Sequence, residues 1–142
     1  EDIGLADPTA LPIAVAAAQA VAMIGFPEAR ITLSQATIAL ALAPKSNAAI
    51  LAIDAALADV RAGKAGPVPP HLRDAHYKGA KKLGHGAAYQ YPHDLPGAIA
   101  AQQYAPDGVH GAQYYTPTRY GAEARYADIL DRVRDRLAGR GD

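Results

Sequence analysis

YKGAKKLGHGAAYQYPHDLPGAIAAQQYAPD, residues 77–107, crowds glycine, proline, histidine and tyrosine into one stretch. Neither the 3.6-residue period of an amphipathic helix nor the alternation of a strand runs through it, so its composition records a particular irregular packing. Turn signals sit at Pro92, at Pro96 to Gly97 and at Pro106 to Gly108, and continue to Thr116 and Pro117. Regular structure has to come mostly from the flanks.

Upstream, the chain is helical in pattern. Asp7 before Pro8 is a helix-start signal, with Pro12 delaying the regular helix to about Leu11, and Gly25 and Pro27 close it. A second helix is predicted from Thr32, where T-x-x-Q through Gln35 matches a capping box, to the residue before Pro44. Ser46 or Asn47 caps a third, with Ile50, Ile53, Leu57 and Val60 on one face. The following AGKAGPVPP, residues 62–70, forbids a regular element and reads as a domain linker or an ordered crossing over the helices, the second being preferred because the downstream part is too rich in glycine and proline to build a separate core. A fourth helix is predicted over 71–83 and a short one over 98–104. The last is amphipathic, with Tyr126, Ile129, Leu130, Val133 and Leu137 as its buried stripe and Asp128 placed to meet Arg132.

A chain of 142 residues and 14.7 kDa reads as one domain, large enough for its own core. Alanine makes up 34 of those residues, so the apolar fraction contains little bulky material, and some apolar faces are expected to find partners on another subunit. Zero formal charge argues against a generally basic nucleic-acid-binding domain. Absence of cysteine excludes disulfides and thiolate metal sites and is compatible with a cytoplasmic protein. The apolar run over 11–26 is interrupted by Pro12, Gln19 and Gly25 and is too short for a membrane span, and Glu1, Asp2 and Asp7 are not a basic leader. The acidic first residue suggests a chain cut from a longer protein.

Histidines 71, 76, 85 and 93 invite a metal, but His71 and His76 lie five apart where a shared helical face wants three or four. His93 and Asp94 are adjacent and suit a structural turn before Pro96 better than an acid–base pair. No G-x-x-x-x-G-K-[ST] occurs, and the G-x-G of LGHGAAYQ follows a predicted helix instead of a strand, so no cofactor site is expected in this chain. Arg73, Lys78, Lys81 and Lys82 face only Asp74 and Asp94, with Tyr77, Tyr89 and Tyr91 nearby. Such cations and rings suit contact with DNA or a partner, and suit equally a solvated helix face.

The blocks EDIGLADP, APKSNAA, AIDAALADV, PVPPHLRDA, YKGAKKLGHGAAYQYPHD, QQYAPD and YYTPTRYG, in that order, resemble the C-terminal domain of the RarA/MgsA/WRNIP1 group of AAA+ ATPases. Ala88 and Ala98 stand where glycine is expected in many relatives, and Arg119 to Gly121 reads RYG where DRG is common. The resemblance implies an all-α oligomerisation domain of the clamp-loader collar type carrying a long irregular Gly/Pro/Tyr-rich segment. It also implies a self-assembling, tetrameric chain whose parent binds ATP and Mg through upstream Walker motifs and works on DNA in fork maintenance and recombination. This fragment would then be no enzyme and would belong to a cytoplasmic, nucleoid-associated protein. Single-strand-binding protein is left open as a partner. The competing expectation is a DNA- or partner-binding module using 73–82.

Overall fold

The computed structural model describes residues 1–140, apart from the side chain of Lys81. Among the described residues the chain is all-α, with four α-helices, six short 3₁₀ turns and no strand.

Helix α1 spans Ala10–Ile24. The Asp7 carboxylate accepts the Thr9 amide (2.9 Å) and hydroxyl (2.6 Å), which holds the chain in the entering turn and lowers the Asp7 pKa. Pro12 does not delay the start, because it falls in the first turn, where amides have no intrahelical partner to lose. The helix ends at Gly25, whose φ of 75° and ψ of 178° are open only to glycine.

Helix α2, Ala29–Leu42, starts three residues before the predicted Thr32. Its first amides are satisfied by the carbonyls of the preceding turn, Ala29 by Gly25 (2.9 Å), Arg30 by Pro27 (3.3 Å) and Ile31 by Glu28 (3.1 Å). No side-chain cap is needed, and the T-x-x-Q motif lies inside the helix. Ala43 is extended, as the residue before Pro44 must be. The Lys45 ammonium then folds back onto the carbonyls of Leu40 (2.7 Å), Ala41 (3.2 Å) and Ala43 (2.7 Å), answering acceptors that the helix end leaves open. Helix α3, Ala48–Arg61, opens with the Ser46 hydroxyl accepting the Ala48 amide (3.2 Å). Helix α4 spans Glu123–Leu137.

The chain divides into two compact units, Glu1–Ile53 with Tyr115–Asp128 and Asp54–Tyr114 with Ile129–Asp142. In the first, α1 and α2 pack as a hairpin with Ala17 and Ala36 buried, and alanine dominates the buried positions. In the second, the connector after α3 is held by local contacts. Lys64 pairs with Asp59 (2.7 Å), Tyr114 donates to the same carboxylate (3.0 Å), and Gly108 lies against the Lys64 carbonyl so closely that a side chain would collide with it. Lys64 first and Tyr114 second lower the Asp59 pKa.

Two predicted helices are absent. Residues 71–83 contain only the 3₁₀ turns Pro70–Leu72 and Ala80–Leu83. Between them the Asp74 carboxylate accepts the His76 amide (2.9 Å), a local bond that competes with helix, and Arg73 turns back to the Val68 carbonyl (2.7 Å). Over 98–104, Ala98 has φ 54° and the Gln102 side chain bonds the backbone of Gln90 at both its carbonyl (2.8 Å) and its amide (3.1 Å). In α4 the stripe is half-buried, with Leu137 exposed, and Asp128 takes Arg119 (2.5 Å) from the preceding loop instead of Arg132.

Candidate functional site

The first unit is knotted around Glu123, the first residue of α4 and fully buried. Its carboxylate accepts the Tyr115 hydroxyl (2.9 Å), the Thr118 amide (2.9 Å) and the Thr118 hydroxyl (2.5 Å), with the Ser46 hydroxyl as a further donor. Burial alone pushes this carboxyl up, but the donors from Thr118, Ser46 and Tyr115 outweigh it and the net shift is down. Burial and the neighbouring carboxylate push Tyr115 up to about 12. Backbone bonds complete the knot, Ala122 to the Ala6 carbonyl (2.8 Å) and Ser46 to the Asp2 carbonyl (2.8 Å). Gly121, with φ 53°, sits where any side chain would strike the Ala6 carbonyl and the Pro44 ring. Three sequence blocks, EDIGLADP, APKSNAA and YYTPTRYG, thus converge on one buried charge. Composition and periodicity passed over Glu123; the available signal was an acid opening a helix five residues after Thr118.

In the second unit the blocks PVPPHLRDA, YKGAKKLGHGAAYQYPHD and QQYAPD supply polar contacts. His71 meets the Gln103 carbonyl (2.8 Å), and the Gln103 amide reaches Asp107 (2.7 Å). Arg73 sends one nitrogen to Val68 and another to His85 Nε2 (3.3 Å), while Tyr77 meets His85 Nδ1 (2.6 Å). Because a guanidinium only donates, His85 Nε2 accepts and Nδ1 carries the proton toward Tyr77. The histidines that invited a metal are therefore dispersed, with His76 on Asp74 (2.7 Å) and the His93 ring against Tyr91 at 5.1 Å. Pro92–Asp94 is a 3₁₀ turn closed by the backbone, Asp94 to the Tyr91 carbonyl (3.1 Å) and Leu95 to Pro92 (3.0 Å).

The basic segment separates by role. Arg73 is half-buried and committed to Val68 and His85, whereas Lys78 and Lys82 are exposed and take no partner among the described residues. Lys81 lies outside the described side chains. Tyr77, Tyr89, Tyr91 and Tyr104 are each 44–54% exposed. The glycines of LGHGAAYQ follow the turn Ala80–Leu83, and the Gly86 amide donates to the Pro70 carbonyl (3.0 Å). No helix among the described residues is long and apolar enough to cross a membrane.

Residues 1–134 match the family model described as MgsA AAA+ ATPase C terminal. The chain is 58% identical over 134 residues to an AAA domain-containing protein of Mycobacterium tuberculosis, covering 94% of this chain and 30% of that protein. It is 54% identical over 140 residues to replication-associated recombination protein A of Bacillus subtilis, covering 99% and 32%. To the protein of the same name from Escherichia coli K12 it is 42% identical over 131 residues, covering 92% and 29%. The chain thus spans about a third of the length of these relatives, and over nearly all of its own it belongs to the MgsA AAA+ ATPase C-terminal family.

Proposed function

We propose that this chain is the oligomerisation domain, tetrameric in its assembled form, of a DNA-dependent AAA+ ATPase acting in replication-fork maintenance and recombination. The observation that carries the assembly reading is an inversion of ordinary burial. Alanines fill the interior while Leu11 (74%), Ile31 (65%), Ile38 (56%) and Leu42 (80%) stand exposed on α1 and α2. Monomeric proteins rarely leave large contiguous apolar surface uncovered. Between the two helices, small side chains leave a groove of about 290 Å³ lined by Ile13, Ala16, Ala20, Thr32, Gln35 and Ala39, which suits bulky side chains of a second copy.

The names of the Bacillus and Escherichia relatives support the setting in replication and recombination. In this reading ATP and Mg bind an ATPase module elsewhere in the parent, this fragment catalyses nothing, and the parent is cytoplasmic and nucleoid-associated. Single-strand-binding protein is a partner of the parent in the same reading. Light scattering across a concentration series tests the assembly. A mass four times 14.7 kDa that holds on dilution is the expected result, and a monomer at high concentration overturns it.

A further inference from the structure

Residues 8–44, which contain the α1–α2 hairpin, hold one acid and one base, Glu28 and Arg30. Glu28 sits at the N-cap of α2 without capping it, and Arg30 follows in the first turn. Both are exposed, and neither side chain has a hydrogen bond or ion pair among the described residues. They do not answer each other within the chain, because residues two apart on a helix point to different sides. Nor does the local sequence supply a partner, since the residues three and four away from Arg30 are Phe26, Pro27, Leu33 and Ser34.

Arg30 is also placed against local preference. The first turn of a helix presents unpaired amides and the positive end of its dipole, which favours an acid and disfavours a cation. Its surroundings are largely apolar. Arg30 lines a shallow concavity with Ile31, Ser34, Gln35, Ile38 and Ala39, and Met23 and Phe26 at the turn of the hairpin stand exposed. A lone cation that its helix does not favour, set in an apolar surface, calls for an anion from outside the chain. Glu28 of a second copy is such an anion, and it lacks a partner of its own.

We propose that the α1–α2 hairpins of two copies meet about a two-fold axis, the Arg30 guanidinium of each donating to the Glu28 carboxylate of the other, with Phe26, Ile31 and Ile38 covered around the two pairs. The inference rests on the assembly reading above and gives it residues and a symmetry. A two-fold contact is self-complementary, so one acid and one base per chain form two pairs at a single contact. The guanidinium fork matches a carboxylate, and the apolar surround keeps water from screening the pairs. A head-to-tail ring would send Glu28 to one neighbour and Arg30 to the other, which two groups within one helical turn are too close together to reach. A two-fold contact closes on two copies, so the tetramer is a pair of such dimers joined through another surface.

Light scattering on charge variants of the full chain, across a dilution series, tests this. Glu28→Arg and Arg30→Glu should each weaken association at least about tenfold, because like charges then face each other twice. The variant carrying both changes should regain the original mass, and so should an equimolar mixture of the two single variants, in which each copy meets its opposite. The chain has no cysteine, so Glu28→Cys with Arg30→Cys reads the symmetry. Copper-catalysed oxidation should link copies in pairs, whereas a ring would give covalent species longer than two. Single variants that keep the original mass, a double variant or mixture that stays helical but regains no mass, or covalent species larger than a dimer would each overturn the proposal and leave assembly itself standing. An unmutated chain that is monomeric would overturn the proposal and the assembly reading together. Unchanged helical circular dichroism of the variants separates dissociation from unfolding.

Discussion

Glu123 shows how much a single residue can hold. Its carboxyl lies below the ordinary 4.5, so the unfolded chain takes up the proton more readily than the folded one. The stabilisation is therefore complete above about pH 4.5 and is lost as the pH falls through the lower folded value. Glu123→Gln should cost about 2 kcal/mol at neutral pH, since it turns an acceptor of several donors into a group that also donates. It should also flatten the acid limb of a plot of urea stability against pH, and an unchanged acid limb would remove Glu123 as the source. At the other end of the scale, Tyr115 donates its proton to that carboxylate, and stability should fall between pH 10 and about 12 in a manner that Tyr115→Phe abolishes. Ala88 and Ala98 make the complementary point. Both were legible as departures from glycine, and their positive φ supplies the reason glycine suits the positions. Ala88→Gly and Ala98→Gly should each stabilise the chain by about 1 kcal/mol, read as a higher urea midpoint at unchanged slope. Glu123 itself was not legible, because its donors lie far off in sequence at Ser46 or in an irregular loop.

Elements were legible where the signal was local and lost where a side chain competed for the backbone. Three upstream helices and the last one follow from alanine content, apolar spacing and breakers such as Gly25 and Pro44. The missing helix over 71–83 has reasonable propensity, but Asp74 and Arg73 both hydrogen-bond the local backbone, and no pattern of apolar residues reveals that competition. The APKS stretch shows the opposite case, in which every residue has a local task. Ala43 and Pro44 end α2, Lys45 answers its last carbonyls, and Ser46 opens α3. Lys45→Met keeps the aliphatic stem and removes the donor, so it should lower stability by about 0.5 to 1 kcal/mol. Thermal unfolding of the variant checks this, and Lys45→Arg should recover part of the loss.

For the whole molecule, the alanine-rich composition and the exposed bulky residues are two sides of one arrangement. Small side chains let α1 and α2 approach, and the larger ones that do not fit between them are left on the outside. Ile31, Ile38 and Leu42 recur at spacings of seven and four along α2, which places them on one face. If that face joins copies of the chain, charge placed there has a different consequence from volume added inside. Ile38→Glu or Leu42→Glu touches no packed interior, so each variant should stay folded with its intrinsic stability changed by no more than about 0.5 kcal/mol while the tetramer dissociates. Ala6→Leu or Ala29→Leu instead forces extra volume into a closed interior position and should cost about 1 to 3 kcal/mol of folding stability whatever the assembly state. Scattering mass and unfolding midpoint, measured together on all four variants, separate the two effects. A tetramer that survives Ile38→Glu and Leu42→Glu combined would mean that assembly uses another surface, and attention would pass to Leu51 and Ile53 on α3.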